Sequence, residues 1–130
     1  MFNITNILEA LNVPTYSDKE LEDYYFSSSV KESLSDNENS FIIELELPGI
    51  SKESIGVDIE GDALKVTSVK TKAGKVGNLS DNRKYGSFSK TYHIKTTVKK
   101  NDISAEYKDG ILTITIPKDE KAKPKKIKIT

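Results

Sequence analysis

The sequence predicts an all-β fold: an immunoglobulin-like antiparallel β-sandwich with a short N-terminal helical arm and a flexible C-terminal tail. Three observations predict it. Phe41, Ile43, Leu45 and Leu47 alternate with Ile42, Glu44 and Glu46, the period of a half-buried strand. A two-residue turn at Gly61-Asp62 sets Ile59 opposite Leu64 and Val57 opposite Val66. A second at Asp109-Gly110 sets Tyr107 opposite Leu112, Ala105 opposite Ile114 and Ile103 opposite Ile116. Two-residue turns containing Gly and Asp favour hairpins. In both hairpins the apolar positions coincide, whereas a one-residue slip would put them on opposite faces.

Taken in order, Ile4, Ile7, Leu8 and Leu11 fall at i, i+3, i+4 and i+7, an amphipathic helix of about three turns that Pro14 ends. Ser17 and Glu20 have capping-box spacing, which predicts a second short helix over residues 18–24. From Tyr25 the period changes, and Phe26, Ser28 and Val30 predict an edge strand. Residues 35–40 read as a polar turn, and Pro48-Gly49 stops the strong strand after it. Residues 70–86 form a loop rich in Lys, Gly and Asn, long for a hairpin connection. Phe88, Lys90, Tyr92 and Ile94 then share one strand face, with Thr91 and His93 on the other. After Pro117 comes a lysine-rich tail. The expected organisation is an arm over residues 1–24, a sandwich of seven or eight strands over 25–117 and a tail over 118–130.

At 130 residues the chain has room for one domain. Hydrophobic residues make up 35% and charged residues 31%, a small core under a heavily charged surface. There is no cysteine, which excludes disulfides and thiol chemistry. No 18-residue apolar run predicts a membrane span, and the N-terminus has no secretory signal pattern. The net charge of zero hides an asymmetry. Residues 1–60 carry 13 acidic and 3 basic side chains, and residues 61–130 carry 7 acidic and 17 basic. Such halves attract within one fold or between subunits.

Chemistry-bearing constellations are sparse. His93 is the only histidine and lacks a ligand cluster at metal spacing. No nucleophile, base and orienting group are suggestively spaced, and Gly74-Lys75 lacks the rest of a phosphate-binding loop. The tail lysines could meet phosphates, but no aromatic residue in the tail could stack a base. The expectation is a non-enzyme with no catalytic residues, no metal, no cofactor and no nucleic-acid partner.

Four features, in order along the chain, resemble the α-crystallin/small heat-shock family over residues 25–130. Leu47-Pro48-Gly49 closes the strong strand. Tyr85-Gly86-Ser87-Phe88 leads into the strand after the long loop. Ala105 followed by Gly110-Ile111-Leu112 is similar to the family's A-x(4)-G-[VI]-L pattern. Ile127-Lys128-Ile129 is similar to its I-x-I tail motif. Two departures stand out: Lys90 occupies a strand where the family usually has arginine, and Lys95 follows Ile94 where a proline is common. Lysine keeps the charge but loses the planar bidentate fork.

The resemblance implies an ATP-independent chaperone, a cytoplasmic holdase that binds partly unfolded proteins as a dissociable homo-oligomer built from dimers. It implies that Ile127 and Ile129 dock in a neighbour's groove, lined here by Val57, Ile59, Ile103 and Ala105. A segment over residues 75–81, with Lys75, Val76, Leu79 and Asp81, would cross to the partner and complete its sheet, hiding a sheet edge. Lys90 would be the dimer-interface charge. Phe2, Ile4, Ile7, Leu8 and Leu11, with Tyr16, Tyr24, Tyr25 and Phe26 beside them, would meet other subunits and clients. Two other classes stay open on residues alone: a sandwich domain that binds one specific partner, and a nucleic-acid-binding β-domain.

Overall fold

The computed structural model describes residues 10–11, 17–72, 80–94, 98–119 and 125–130. Among these residues, helix α1 (Asp18–Ser29) precedes seven strands: β1 (Glu32–Asp36), β2 (Ser40–Glu46), β3 (Ile55–Glu60), β4 (Ala63–Lys70), β5 (Gly86–His93), β6 (Ser104–Lys108) and β7 (Ile111–Pro117). They make two antiparallel sheets, one ordered β1-β2-β7-β6 and the other β3-β4-β5.

Both deduced hairpins have the expected register. Ile59 pairs with Leu64 and Val57 with Val66; Tyr107 pairs with Leu112 and Ala105 with Ile114. Asp109 and Gly110 adopt positive φ of 53° and 76°, the left-handed pair that matches strand twist. Ile103 is the exception: the chain leaves a 3-10 turn at Lys100–Asp102, and the ladder begins one residue later, at Ser104.

The strand expected at Phe26, Ser28 and Val30 is instead the end of α1 and its C-cap; the edge strand β1 lies further on, and the polar turn expected over residues 35–40 narrows to 37–39. The Ser17 side chain accepts from Glu20 N at 3.1 Å and Glu20 returns a bond to Ser17 N at 2.8 Å. This capping box starts the helix, and Asp18 and Glu20 in its first turn suit its dipole. The helix runs on past residue 24 because Phe26 is buried in the core, the only α1 residue that is. Three alternating positions in a serine-rich stretch were too few to distinguish period 2 from a helix held by one anchor.

The core lies between the sheets. Leu45, Leu64, Val66 and Ile114 project into it from β2, β4 and β7, and Leu47 joins them just past β2. Each such side chain contributes about 1.5–3 kcal/mol by leaving water. Ser68 sits among them, buried, and its Oγ has no hydrogen-bond partner among the described residues. At one end, Leu47 N donates to Gly110 O at 2.8 Å and the Tyr107 hydroxyl to Leu47 O at 2.5 Å. A Cβ on Gly110 would lie 3.2 Å from Pro48 Cα. The Pro48-Gly49 stop and the Asp109-Gly110 turn therefore press directly together.

Candidate functional site

Among the described residues the two open sheets leave four edge strands, and Val57, Ile59, Ala105 and Lys90 lie on them. Glu32 on β1 accepts hydrogen bonds from Lys90 (2.5 Å) and Tyr92 on β5. Edges β1 and β5 therefore share one flank, and the sheet orders leave β3 and β6 to the other.

On the β3/β6 flank, Val57 and Ile103 are half-buried and pack against the core, Ile59 is 39% exposed, and Ala105 is exposed. Ile55, Val57 and Ile59 share one face of β3, and Ala105 and Tyr107 one face of β6, because strand side chains alternate. The result is an apolar seam with its outer side open to water. The predicted occupants, Ile127 and Ile129, are 85% and 94% exposed. Neither docks on the chain's own sandwich.

On the other flank, Glu46 N donates to Lys31 O, so Lys31, Ser33 and Ser35 face β2, and alternation turns the backbone groups of Glu32, Leu34 and Asp36 outward. Leu34, 61% exposed, stands in the middle of that edge. Beside it an open apolar hollow of about 270 Å³ is lined by Leu34, Phe41, Tyr92, Ile94, Val98 and Ile116. Of the segment expected to cross to a partner, Lys75, Val76 and Leu79 lie outside the described residues. Asp81 accepts from Arg83 Nε (3.0 Å), Arg83 Nη2 (3.2 Å), Arg83 N (3.0 Å) and the Tyr85 hydroxyl (2.6 Å). These bonds hold its carboxyl far below the usual carboxylate range and fix the chain as it leaves the loop.

Lys90, expected at a dimer interface, is met within its own chain by Glu32, 58 residues away. Its ammonium also lies 5.2 Å from the Tyr92 ring centroid. Partial burial pushes the Glu32 carboxyl up, but the Lys90 and Tyr92 hydrogen bonds and the Lys90 charge outweigh it, and the net shift is downward. Burial and the Glu32 carboxylate both push the Tyr92 hydroxyl up. Residue separation explains why this clamp had no signal in the sequence.

Of the arm residues, Phe2, Ile4, Ile7 and Leu8 lie outside the described residues, and Leu11 is exposed. Tyr24 and Tyr25 are exposed in an edge-to-face pair with centroids 5.7 Å apart. Phe26, grouped with them by sequence, is instead part of the core. α1 also docks on β5 by polar contacts: Ser87 N donates to Asp23 Oδ1 at 2.8 Å, and Ser27 Oγ donates to Ser87 O at 3.2 Å. The Ser87 N–H lowers the Asp23 pKa. Gly86 lets the helix come this close, since a Cβ there would be 2.9 Å from Asp23 Oδ1. A glycine opening a strand was the available signal for such an approach.

Among the described residues no group of three or more His, Cys, Asp or Glu is placed to hold a metal ion, and no helix is long and apolar enough to cross a membrane. Among the described residues the arrangement offers sheet edges, a seam and exposed apolar side chains.

The sandwich and its edges are those of an α-crystallin-type domain. Residues 33–130 match the Hsp20/alpha crystallin family, and the chain belongs to that family. It is 33% identical over 132 residues to small heat shock protein C4 of Rickettsia felis, covering 98% of this chain and 77% of the relative. It is 33% identical over 100 residues to heat shock protein HSP.16.4 of Streptococcus thermophilus, covering 72% and 68%. Among solved structures, heat shock protein 16.0 of Schizosaccharomyces pombe superposes with a TM-score of 0.66 at 30% identity, over 78% of this chain and 98% of that one. A small heat-shock protein of Xylella fastidiosa, at 23% identity, shares the fold with a TM-score of 0.65 over 78% and 95%.

Proposed function

We propose that this chain is an ATP-independent molecular chaperone, a holdase that binds partly unfolded proteins and stops them aggregating. Its working form is a dissociable homo-oligomer. The observation that carries the reading is the pairing of two exposed tail isoleucines with an open apolar seam between β3 and β6, in a member of the Hsp20/alpha crystallin family. Ile127 and Ile129 of one subunit dock on Val57, Ile59, Ile103 and Ala105 of another. Each contact is weak, since burying two isoleucines contributes roughly 3–6 kcal/mol before ordering costs, and many contacts together give avidity. The segment over residues 75–81 pairs with the outward edge of β1 in a second subunit, where the hollow beside Leu34 seats its apolar side chains. Lys90 sits on that flank and sets its charge through Glu32.

Heat weakens the tail and arm contacts and frees apolar surface for unfolding clients. No nucleotide takes part, and the site of action is the cytoplasm. The test is light scattering of a heat-labile client, with and without this chain, in the absence of ATP. Suppression at near-stoichiometric ratios, with the client recovered in a large soluble complex, supports the holdase. No suppression across a range of temperatures removes it and leaves a sandwich that binds a single partner.

A further inference from the structure

α1 occupies the place on β5 that a further strand would take. Ile94 N donates to Asp62 O, so the even-numbered residues of β5 face β4. The amide and carbonyl of Ser87 both point the other way, to Asp23 and Ser27 of the helix. Alternation then turns the amides and carbonyls of Ser89, Thr91 and His93 to the same outer edge, where no described residue bonds to them. The helix supplies what an added strand would supply at Ser87: one acceptor and one donor. It also supplies an aromatic side chain, Phe26, to the core beside that edge. Next to Phe26 an open hollow of about 290 Å³, lined by Val30, Leu47, Pro48 and Lys84 among others, leaves room for more than the phenyl ring.

The cover is lightly fastened. Phe26 is the only buried residue of a 12-residue helix, and Leu21, Tyr24 and Tyr25 on it remain exposed. A helix of that length is marginal by itself, and an element with one apolar anchor opens ahead of the core.

We propose that α1 is a displaceable lid on a second binding site, and that the site takes an extended polypeptide segment carrying a phenylalanine-sized side chain. This rests on the chaperone reading above and names where one class of client segment binds. When α1 lifts, the Ser87–His93 edge of β5 pairs with the incoming backbone, and the slot left by Phe26 takes its large side chain. Backbone pairing gives affinity without reading sequence, and the slot gives the preference. While α1 is docked, its bonds to Ser87 and its bulk block pairing at that end of the β5 edge.

The absence of cysteine makes the lid lockable. Lys84 Nζ lies 5.4 Å from the Tyr25 ring centroid, so the Tyr25→Cys/Lys84→Cys chain can be bridged with a bismaleimide whose linker spans the two lost side chains. The probe is a fluorescein-labelled nonapeptide of alternating Thr and Val with a central Phe, compared with one carrying Ser there. Asp23→Ala, which loosens the lid without touching the core, is expected to bind the Phe probe about tenfold tighter than the unmodified chain. The bridged chain is expected to bind it at least tenfold more weakly than the same variant unbridged. Hydrogen exchange in the complex is expected to slow at Ser89, Thr91 and His93. Equal binding by bridged and unbridged chains, equal binding of the two probes, or protection elsewhere overturns the proposal. Should Asp23→Ala fail to fold, Asp23→Asn and the bridged pair decide alone. If the bridged chain loses the probe but the parent still suppresses client aggregation, both readings stand. If suppression stands and the probe binds regardless of bridging, only the lid falls. If neither suppression nor probe binding is seen, both fall.

Discussion

Replacing Ile127 and Ile129 together with alanine removes three carbons from each side chain, or about 5 kcal/mol of apolar burial per tail if the seat closes fully, at roughly 0.8 kcal/mol per carbon. The seat is only part closed. Val57 and Ile103 are already half-buried, while Ile59 and Ala105 leave the outer side of the seam open. Taking half the full value leaves about 2.5 kcal/mol, about sixtyfold in each tail contact at 1.4 kcal/mol per factor of ten. Because several contacts act together in one assembly, the collective loss is larger. Sedimentation velocity over a dilution series measures this. The variant is expected to run as dimers at concentrations where the parent remains a large assembly. Its subunit melting should not change, since both isoleucines are almost wholly exposed in the single chain. Ile59→Ser on the seam side should act in the same direction, and combining it with the tail variant should add little. An unchanged mass across the series refutes tail docking, and a loss of subunit stability refutes the view that the tail belongs to another chain's surface.

Three further outcomes are expected. Ser68→Ala removes a buried hydroxyl without a partner and should stabilise the sandwich by about 1 kcal/mol, a rise of a few degrees in a calorimetric melt; a lower Tm counts against it. Lys90→Met should cost no more than about 1 kcal/mol in denaturant titration, because Lys90 is 44% exposed where it meets Glu32, while Lys90→Arg should be close to neutral; a much larger loss would mean that Lys90 also serves another subunit. Asp23, Glu32, Asp62 and Asp81 all have folded-state pKa values below their ordinary ones. Their contribution is therefore present above the unfolded carboxylate range near pH 4 and is lost as pH falls through the lower folded values. Unfolding followed between pH 5 and 2 should show a steep fall below about pH 4, and a flat profile would refute these pairings.

Six of the seven strands were legible because each obeys a local rule, whereas β1 (Glu32–Asp36), exposed along its whole length, has no apolar alternation to read. The Phe41–Leu47 alternation and the two glycine turns state their own register, and the observed pairs at Ile59–Leu64 and Tyr107–Leu112 repeat it residue for residue. The helix over Asp18–Ser29 was half legible. Its capping box is a local signal, but its length depends on Phe26 reaching a core assembled from distant strands. The Glu32–Lys90 and Asp23–Ser87 contacts were invisible for the same reason: partners 58 and 64 residues apart leave no mark on either neighbourhood. The seam residues Val57, Ile59, Ile103 and Ala105 were reached through family resemblance, since nothing in an alternating strand says which of its apolar side chains will stay half uncovered.

The contact between Pro48 and Gly110 has a consequence for anyone recombining this scaffold. Leu47-Pro48-Gly49 and Gly110-Ile111-Leu112 look like two independent signatures along the chain, yet Leu47 N bonds Gly110 O and a Cβ on that glycine would crowd Pro48 Cα at 3.2 Å. They are two halves of one joint. A graft that exchanges either loop alone mismatches that joint, so chimeras between relatives should take both segments from the same parent.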